Sequence, residues 1–417
     1  MVRIHPPRPI SEIVNKKTMI ITTEKIPIKI WADDMEEGAL EQAKNLANLP
    51  FAFKHVAIMP DTHQGFGMPI GGVLATKDVI VPNAVGVDIG CGMCAVKTSL
   101  TEIDKETLKK IMGEIRKAIP VGFNKHNESQ GKSLMPDISY LYGYYTPESD
   151  TPICLREYNN ALKSLGTLGG GNHFIEIQKG SDGYIWIMIH SGSRNLGKQV
   201  ADYYNKKAVG LNKKWFSNTQ KELNFLPLDS EEGQSYIGEM EYCVEFALAN
   251  RKLMMDRIKD ILYKTDMTRI GIPRLSIEFE PMINIAHNYA NLENHFGENV
   301  WVHRKGATLA TKDTIGIIPG SQGTKSYIVK GKGNPESFMS CSHGAGRKMG
   351  RNEAIKNLNL EEEVKRLDGM GVIHAIRGEK DLDEAPGSYK DIDIVMKNQK
   401  DLVEILVELT PLAVIKG

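Results

Sequence analysis

Residues 85–94, VGVDIGCGMC, place one carboxylate and two thiols among three glycines at the end of an apolar run. Taken alone, Asp88 and Cys91 would be a turn-capping acid and an inert buried thiol. Cys91-x-x-Cys94 also suits half a zinc site or a redox pair, but the sequence offers no second Cys-x-x-Cys to complete a structural zinc site. Three histidines change this reading. His173 follows GGGN, His190 ends IWIMI and His287 follows MINIA, each where a buried element gives way to a polar turn. Three imidazoles, a carboxylate and a thiol form a mixed donor set for a divalent transition ion, and ligand softness leaves Mn²⁺, Fe²⁺, Co²⁺ and Zn²⁺ all open.

A second chemistry is anion binding. GGGNH, PGSQGT and HGAGR each offer successive backbone N–H groups to one phosphate, and HGAGR leads into a helical pattern, GRKMGRNEAIKNL. None is a Walker A loop or a dinucleotide fingerprint. His343, in SCSHGAGR, has Arg347 four residues on. A neutral imidazole beside an anion-binding turn is a competent nucleophile toward activated phosphorus, with the guanidinium and a metal stabilising the charge that develops.

These groups need rigid elements to hold them. A recurring local grammar supplies candidates: short apolar runs that end abruptly in Gly-rich turns carrying His, Asn, Asp or Cys, as in HVAIMPDTHQGFGMPIGG, LGTLGGGNHFIEI, YIWIMIHSGSRNLG and IGIIPGSQGTKSY. Such runs predict buried strands, whose turns would build one composite site. Residues 230–264 have apolar positions at helical spacing (Met240, Val244, Ala247, Leu253) and predict one long or broken helix, its Met and aromatic stripe belonging to the core. Residues 1–18, polar and Pro-bearing, are read as an extension outside the core.

The 417-residue chain balances 52 Lys and Arg against 52 Asp and Glu, so net charge is silent on a polyanionic partner. Five cysteines in this length do not make a secreted disulfide scaffold, and there is no membrane-length apolar run or signal-like start. The expectation is a soluble cytoplasmic protein.

From about Met19 to Gly417 the chain closely resembles the RtcB family of GTP- and Mn²⁺-dependent RNA ligases. The resemblance rests on MPDTHQGFGMPIGG, VGVDIGCGM, GGGNHFIE, HSGSR, HNYA, RKGA, PGSQGTKSY, SCSHGAGR, DEAPGSYKDID and the terminal KG. It implies a mixed α/β fold treated as one catalytic domain, residues 19–417. It implies that Asp88, Cys91, His173, His190 and His287 hold two Mn²⁺ ions with Cys91 bridging, that His343 is the guanylylated nucleophile, and that Asp61 is the acid near the metals. GTP would be surrounded by Asn172, His173, Phe174, Ile175, Glu176, His287, Asn288, Pro319, Gly320, Ser321, Gln322, Ser326, His343, Gly344, Ala345, Gly346, Tyr389 and Lys416. Among them Glu176, Ser326, Tyr389 and Lys416 would recognise guanine, and Arg194 and Arg347 would contact phosphate groups.

The implied reaction joins an RNA 3′-phosphate or 2′,3′-cyclic phosphate end to a 5′-hydroxyl end through a His–GMP intermediate. Implied partners are RNA ends, such as tRNA halves, and an archease-like activator. Cys94 falls outside the family's metal set. Two competing readings are a metal-dependent cyclic phosphodiesterase or nuclease, which would need neither His343 nor a guanine pocket, and a non-catalytic RNA-binding paralogue. Candidate RNA contacts are Lys305, Lys348, Arg351 and Arg194, each of which could equally be a solvated charge.

Overall fold

The computed structural model describes residues 18–144, 150–217, 219–265 and 276–417. All but the last residue of the extension read at 1–18 lies outside the described residues.

Two sheets frame the molecule. The first has the strand order Met19–Ile21, Ile28–Ile30, Ala52–Phe66, Met68–Thr76, Glu298–Lys305, Asn288–His295, with one parallel pair, Ile28–Ile30 against Ala52–Phe66. The second is antiparallel throughout, in the order Ile283–Ala286, Gly92–Lys97, Ile185–Ser191, Phe174–Gly180, Val403–Lys416, Ser326–Gly331, Ile315–Ile318. With helices packed on these sheets, the fold is mixed α/β as expected.

The apolar runs are explained by burial on both faces. In Ile185–Ser191 every residue is buried. Ile185, Ile187 and Ile189 join one core cluster with Ile175, Met254 and Ile258, while Trp186 and Met188 pack on the opposite face with Met93 and Phe174. Alternation therefore sends side chains into two cores, and no polar position interrupts the run.

The helix predicted at 230–264 is a single element, Glu231–Lys264, opened by Ser230, whose side chain accepts the Gly233 N–H. Tyr236, Met240, Tyr242, Phe246, Met254 and Met255 are buried, so the Met and aromatic stripe is core. Val244 and Leu253 are only partly buried at its margin. No described helix is long and apolar enough to cross a membrane.

Two polar residues on this helix tie it to the strand ends. Asn250 Oδ1 accepts the Gly166 and Thr167 N–H groups at 2.7 and 3.1 Å, and its amide donates to Thr167 O and Gly192 O, each at 3.1 Å. Arg251, fully buried, donates from Nη1 to Gly90 O at 3.0 Å and Ser191 O at 2.8 Å, and from Nε to Asn284 Oδ1 at 2.7 Å. One guanidinium thus pins the carbonyl before Cys91 and the carbonyl after His190. Arg251→Met would leave those two carbonyls and the Asn284 oxygen buried without that donor, at a cost of about 2–4 kcal/mol. Chemical denaturation should show the loss as a lowered midpoint, and an unchanged midpoint would refute the assignment.

Candidate metal centre and adjoining cavity

Four neighbouring strands of the second sheet deliver the metal-ligand candidates to one edge. Cys91 precedes Gly92–Lys97, His173 precedes Phe174–Gly180, His190 stands near the end of Ile185–Ser191, and His287 follows Ile283–Ala286. The register Gly92↔Ser191, Phe174↔His190 and Ala286↔Gly92 places all four at the same end. His287 is also the point at which the chain crosses into the first sheet.

Cys91 Sγ lies 3.4 Å from His173 Nε2 and 3.3 Å from His190 Nε2, His190 Nε2 lies 3.1 Å from His287 Nε2, and His173 Nε2 lies 3.2 Å from Asp88 Oδ2. The donors form two triads, Cys91–His190–His287 and Asp88–Cys91–His173, with ligand atoms within 4.8 Å of one another in each. They share the one thiol.

The tautomers are set from behind. His173 Nδ1 faces Leu168 O at 2.9 Å, His190 Nδ1 faces Asn172 O at 3.2 Å, and His287 Nδ1 faces Asn288 Oδ1 at 3.3 Å. Carbonyl oxygens only accept, so each Nδ1 carries the proton and each Nε2 presents a lone pair to the cluster. The Asn288 amide is itself fixed, because Oδ1 accepts the Gly306 N–H at 2.8 Å and Nδ2 donates to Asp88 O at 3.1 Å. Two lone pairs facing each other at 3.1 Å suit a site that holds a cation.

Burial reinforces this. It lowers the pKa of His190 and His287 well below the ordinary value, helped by the neighbouring imidazoles, so both rings stay neutral and able to ligate. Burial and the Asp88 charge push the Cys91 thiol well above its ordinary value. A cation is what would make it a thiolate. Cys94 takes no part: it is buried in the core with Val96, Ile175 and Ile189, and burial pushes its thiol up to about 12. The Cys-x-x-Cys spacing is incidental, because strand alternation turns Cys94 into the core.

His343 leaves the short strand Ser340–Ser342 and packs its ring 4.8 Å from that of His287, centroid to centroid. Its Nδ1 sits 2.6 Å from Asp61 Oδ2, close but not aligned for a linear hydrogen bond. Asp61 is fully buried at an irregularity in Ala52–Phe66, where the chain advances from Ile58 to His63 while its partner moves only from Gly72 to Ile70. Such bulges re-aim side chains next to active sites. Burial alone would raise the Asp61 pKa, but the close approach of the His343 ring, with His63 and Lys390 nearby, outweighs it, and the group is held below the ordinary carboxylate value.

Beside His343 opens a cavity of about 290 Å³ that gathers all three Gly-rich turns. Asn172, Phe174, Glu176, Pro319, Gly320, Ser321, Gln322, Gly344, Ala345, Gly346, Arg347, Tyr389 and Lys416 all line it. Lys416 is anchored, its side chain 16 % exposed, with Nζ 2.9 Å from Glu384 Oε2.

Several expectations need correction. Ile175 does not line the cavity: Phe174 and Glu176 do, and strand alternation turns Ile175 into the opposite core. Ser326 lies one layer behind, its Oγ accepting the Gly320 N–H at 3.1 Å and the Gln178 amide at 3.1 Å. His173, His287 and Asn288 belong to the metal cluster and its support and do not line the cavity. The helix expected directly after HGAGR begins only at Arg351, because Gly350 takes the capping position. The turn N–H groups are not all open to an anion either. Those of His343 and Gly344 are given to Asp61 Oδ2, each at 3.2 Å, and that of Ser321 to Thr324 Oγ1 at 2.7 Å.

Cationic side chains instead supply positive charge to the cavity, and Glu384 organises them. Its Oε1 meets Arg347 Nη1 at 3.2 Å and Arg351 Nη2 at 3.4 Å, while Oε2 accepts from Lys416 and from the Tyr389 hydroxyl. Glu384 was missed as a site residue although DEAPGSYKDID contains it, since nothing local to that stretch shows which cations will meet there. His63, also missed, lines the cavity with Nδ1 3.1 Å from Asp61 O.

Among the proposed RNA contacts, Lys305 is corrected. It is 8 % exposed and donates to Phe66 O at 2.6 Å and Asn83 O at 3.1 Å, and burial lowers its pKa to about 7. Lys348 is exposed. Arg194 donates to Thr167 Oγ1 at 3.0 Å and Gly122 O at 2.9 Å, with its charge in the field of Asp88 and Cys91.

The two triads make metal stoichiometry a direct test. Elemental analysis or Mn²⁺ paramagnetic resonance should count two ions per chain, one in His287→Ala and none held tightly in Cys91→Ala. Full retention of both ions by Cys91→Ala would refute the shared thiol.

The chain matches the family described as tRNA-splicing ligase RtcB over residues 42–417. It is 38 % identical to the RNA-splicing ligase RtcB of Escherichia coli (strain K12) over 413 residues, covering 95 % of this chain and 99 % of that relative. It is 32 % identical to the tRNA-splicing ligase RtcB of Nanoarchaeum equitans, covering 94 % of this chain and 95 % of that protein. A eukaryotic relative, RNA-splicing ligase RtcB homolog 1 of Entamoeba dispar, is 32 % identical, covering 91 % of this chain and 82 % of the relative. With a donor cluster, His343 and a lined cavity in one place, and these matches along nearly its whole length, the chain belongs to the RtcB ligase family.

Proposed function

We propose that this protein is a cytoplasmic RNA ligase that uses GTP and two Mn²⁺ ions to join an RNA 3′-phosphate or 2′,3′-cyclic phosphate end to a 5′-hydroxyl end, with tRNA halves as one class of substrate and an archease-like protein as an activator. The observation that carries this reading is the placement of His343 between the donor cluster and the cavity, its ring against His287 and its Nδ1 against Asp61. A phosphodiesterase would need the donor cluster alone. It would have no use for a histidine so held.

The residues divide the work. Asp88, Cys91, His173, His190 and His287 would hold the ions, which supply Lewis-acid polarisation of phosphate oxygens. With Asp61 at Nδ1, His343 Nε2 is the attacking atom. It bonds to the α-phosphorus of GTP, and the bond to pyrophosphate breaks. The ionised, buried Asp61 stabilises the positive charge that the imidazole then bears. A 3′-phosphate oxygen of RNA next displaces the imidazole, forming a phosphoanhydride to GMP. The 5′-hydroxyl oxygen of the second end attacks the RNA phosphorus, loses its proton, and expels GMP. A cyclic phosphate end is first opened by water.

Arg347, Arg351 and Lys416 are the cations available to the triphosphate and the base, and Tyr389 offers an aromatic face. Glu176, one strand over, is the acceptor for the guanine N1–H and exocyclic amine. Burial raises its pKa to about 8, against the lowering influence of Lys416 and the Gln178 hydrogen bond. It is therefore mostly protonated in the empty cavity at neutral pH and must release that proton to accept from guanine.

Two outcomes are expected. Incubation with Mn²⁺ and GTP should add the mass of one GMP to the intact chain, and His343→Ala should show no adduct; an adduct of equal yield in that variant would overturn the reading. GTP affinity should rise with pH, by up to about tenfold per unit, until it levels off near the Glu176 pKa. Glu176→Gln should bind more weakly with a flat profile, and a flat profile in the unaltered protein would exclude Glu176 as the guanine acceptor.

A further inference from the structure

Phe123 is 102 % exposed, its ring touching nothing. Single exposed apolar side chains are ordinary on protein surfaces and need no explanation. What sets Phe123 apart is the rigidity of the backbone beneath it and the identity of what holds that backbone. Gly122 donates to Gly169 O at 2.8 Å, Leu168 donates to Pro120 O at 2.9 Å, and Arg194 Nη2 donates to Gly122 O at 2.9 Å. On the far side, Asn124 donates to Val121 O at 3.2 Å and His126 to Lys163 O at 3.0 Å.

Some of the anchoring residues also support the donor cluster. Leu168, whose N–H is tied to the Phe123 loop, accepts the Nδ1 proton of His173 on its carbonyl at 2.9 Å. Gly169 opens the GGGN turn that delivers Asn172 to the cavity and His173 to the donor cluster. Arg194, which clamps Gly122, stands in the field of Asp88 and Cys91. A bare aromatic ring is thus mounted on a stiff support that is hydrogen-bonded to the segment leading to His173, with the exposed Lys125 two residues on.

We infer that Phe123 is a stacking platform for an unpaired base of the RNA strand whose end enters the metal centre. The inference rests on the ligase reading for the identity of that strand. An aromatic face takes any base, so the platform would add affinity without sequence preference, and the exposed Lys125 would supply positive charge for a neighbouring phosphate. A fixed support lowers the ordering cost of that contact. The platform would act on RNA alone. Phe123 does not line the cavity beside His343, so guanylylation of His343 would not involve it.

The control is built into the fold. Phe216 is 90 % exposed and lies just past the far end of helix Arg194–Lys214, about 30 Å from Arg194 at 1.5 Å per residue. The probe is a fluorescein-labelled single-stranded RNA of about 12 nucleotides ending in a 3′-phosphate, read by anisotropy in the presence of Mn²⁺ and without GTP. Phe123→Ala should weaken binding by roughly 5- to 100-fold, the range expected for one lost base stack. Phe123→Trp should bind as the unaltered protein does, Phe123→Leu should resemble the alanine variant, and Phe216→Ala should show no change. GMP adduct formation should be equal in all of them.

Unchanged RNA binding by Phe123→Ala, or equal retention by the leucine and tryptophan variants, would overturn the platform. So would a parallel loss of GMP adduct, which would make the residue a support of the fold. Failure of the unaltered protein to form the adduct would instead strike the ligase reading. The anisotropy comparison stands without it.

Discussion

One thiol shared by two triads is the constraint on which the remainder of the site is built. Cys91 Sγ sits within 3.4 Å of two imidazole nitrogens, and a third imidazole nitrogen faces one of these at 3.1 Å. Such a gathering of lone pairs is unfavourable without a cation, and the chain spends much of its buried polar structure to impose it. Leu168 O, Asn172 O and the Asn288 amide fix the three tautomers. Arg251 holds the flanking carbonyls of Cys91 and His190 from the core side.

The second sheet makes this economical. Antiparallel register brings the ends of four adjacent strands to one edge, so donors separated by almost 200 residues in sequence need only a short turn each to meet. The first sheet contributes the opposite wall, in which a bulged strand aims Asp61 at His343. His343 therefore stands at the seam of two sheets, with the donor imidazoles on one side and the lined cavity on the other. Glu384 balances the cations of that cavity, and holds Arg347, Arg351, Lys416 and Tyr389 together.

Much of this was legible in the sequence where a chemical group coincided with a change of local pattern. The five metal candidates and His343 each close or follow a buried run, and all six meet in space. The 230–264 helix was legible because its apolar spacing is long and uninterrupted. What escaped was relational. Ile175 was drawn into the ligand set by its neighbours, although strand alternation sends it to the other face. Lys305 carried a charge that suggested a polyanion, yet it is spent on two backbone carbonyls. Arg251 sat within a stretch rightly read as core, and only the strands packed on that helix reveal its purpose. Glu384 is hard to read locally, because only Tyr389 is near it in sequence and its three cationic partners, Arg347, Arg351 and Lys416, come from elsewhere in the chain.

The central proposal is that Cys91 would lie between two metal ions, one held by each triad. Anomalous diffraction from crystals soaked in Mn²⁺ tests it most directly. The account predicts two peaks, both at coordination distance from Cys91 Sγ, one shared with His190 and His287 and the other with Asp88 and His173. A lone peak among the imidazoles with the thiol outside its coordination sphere would contradict it.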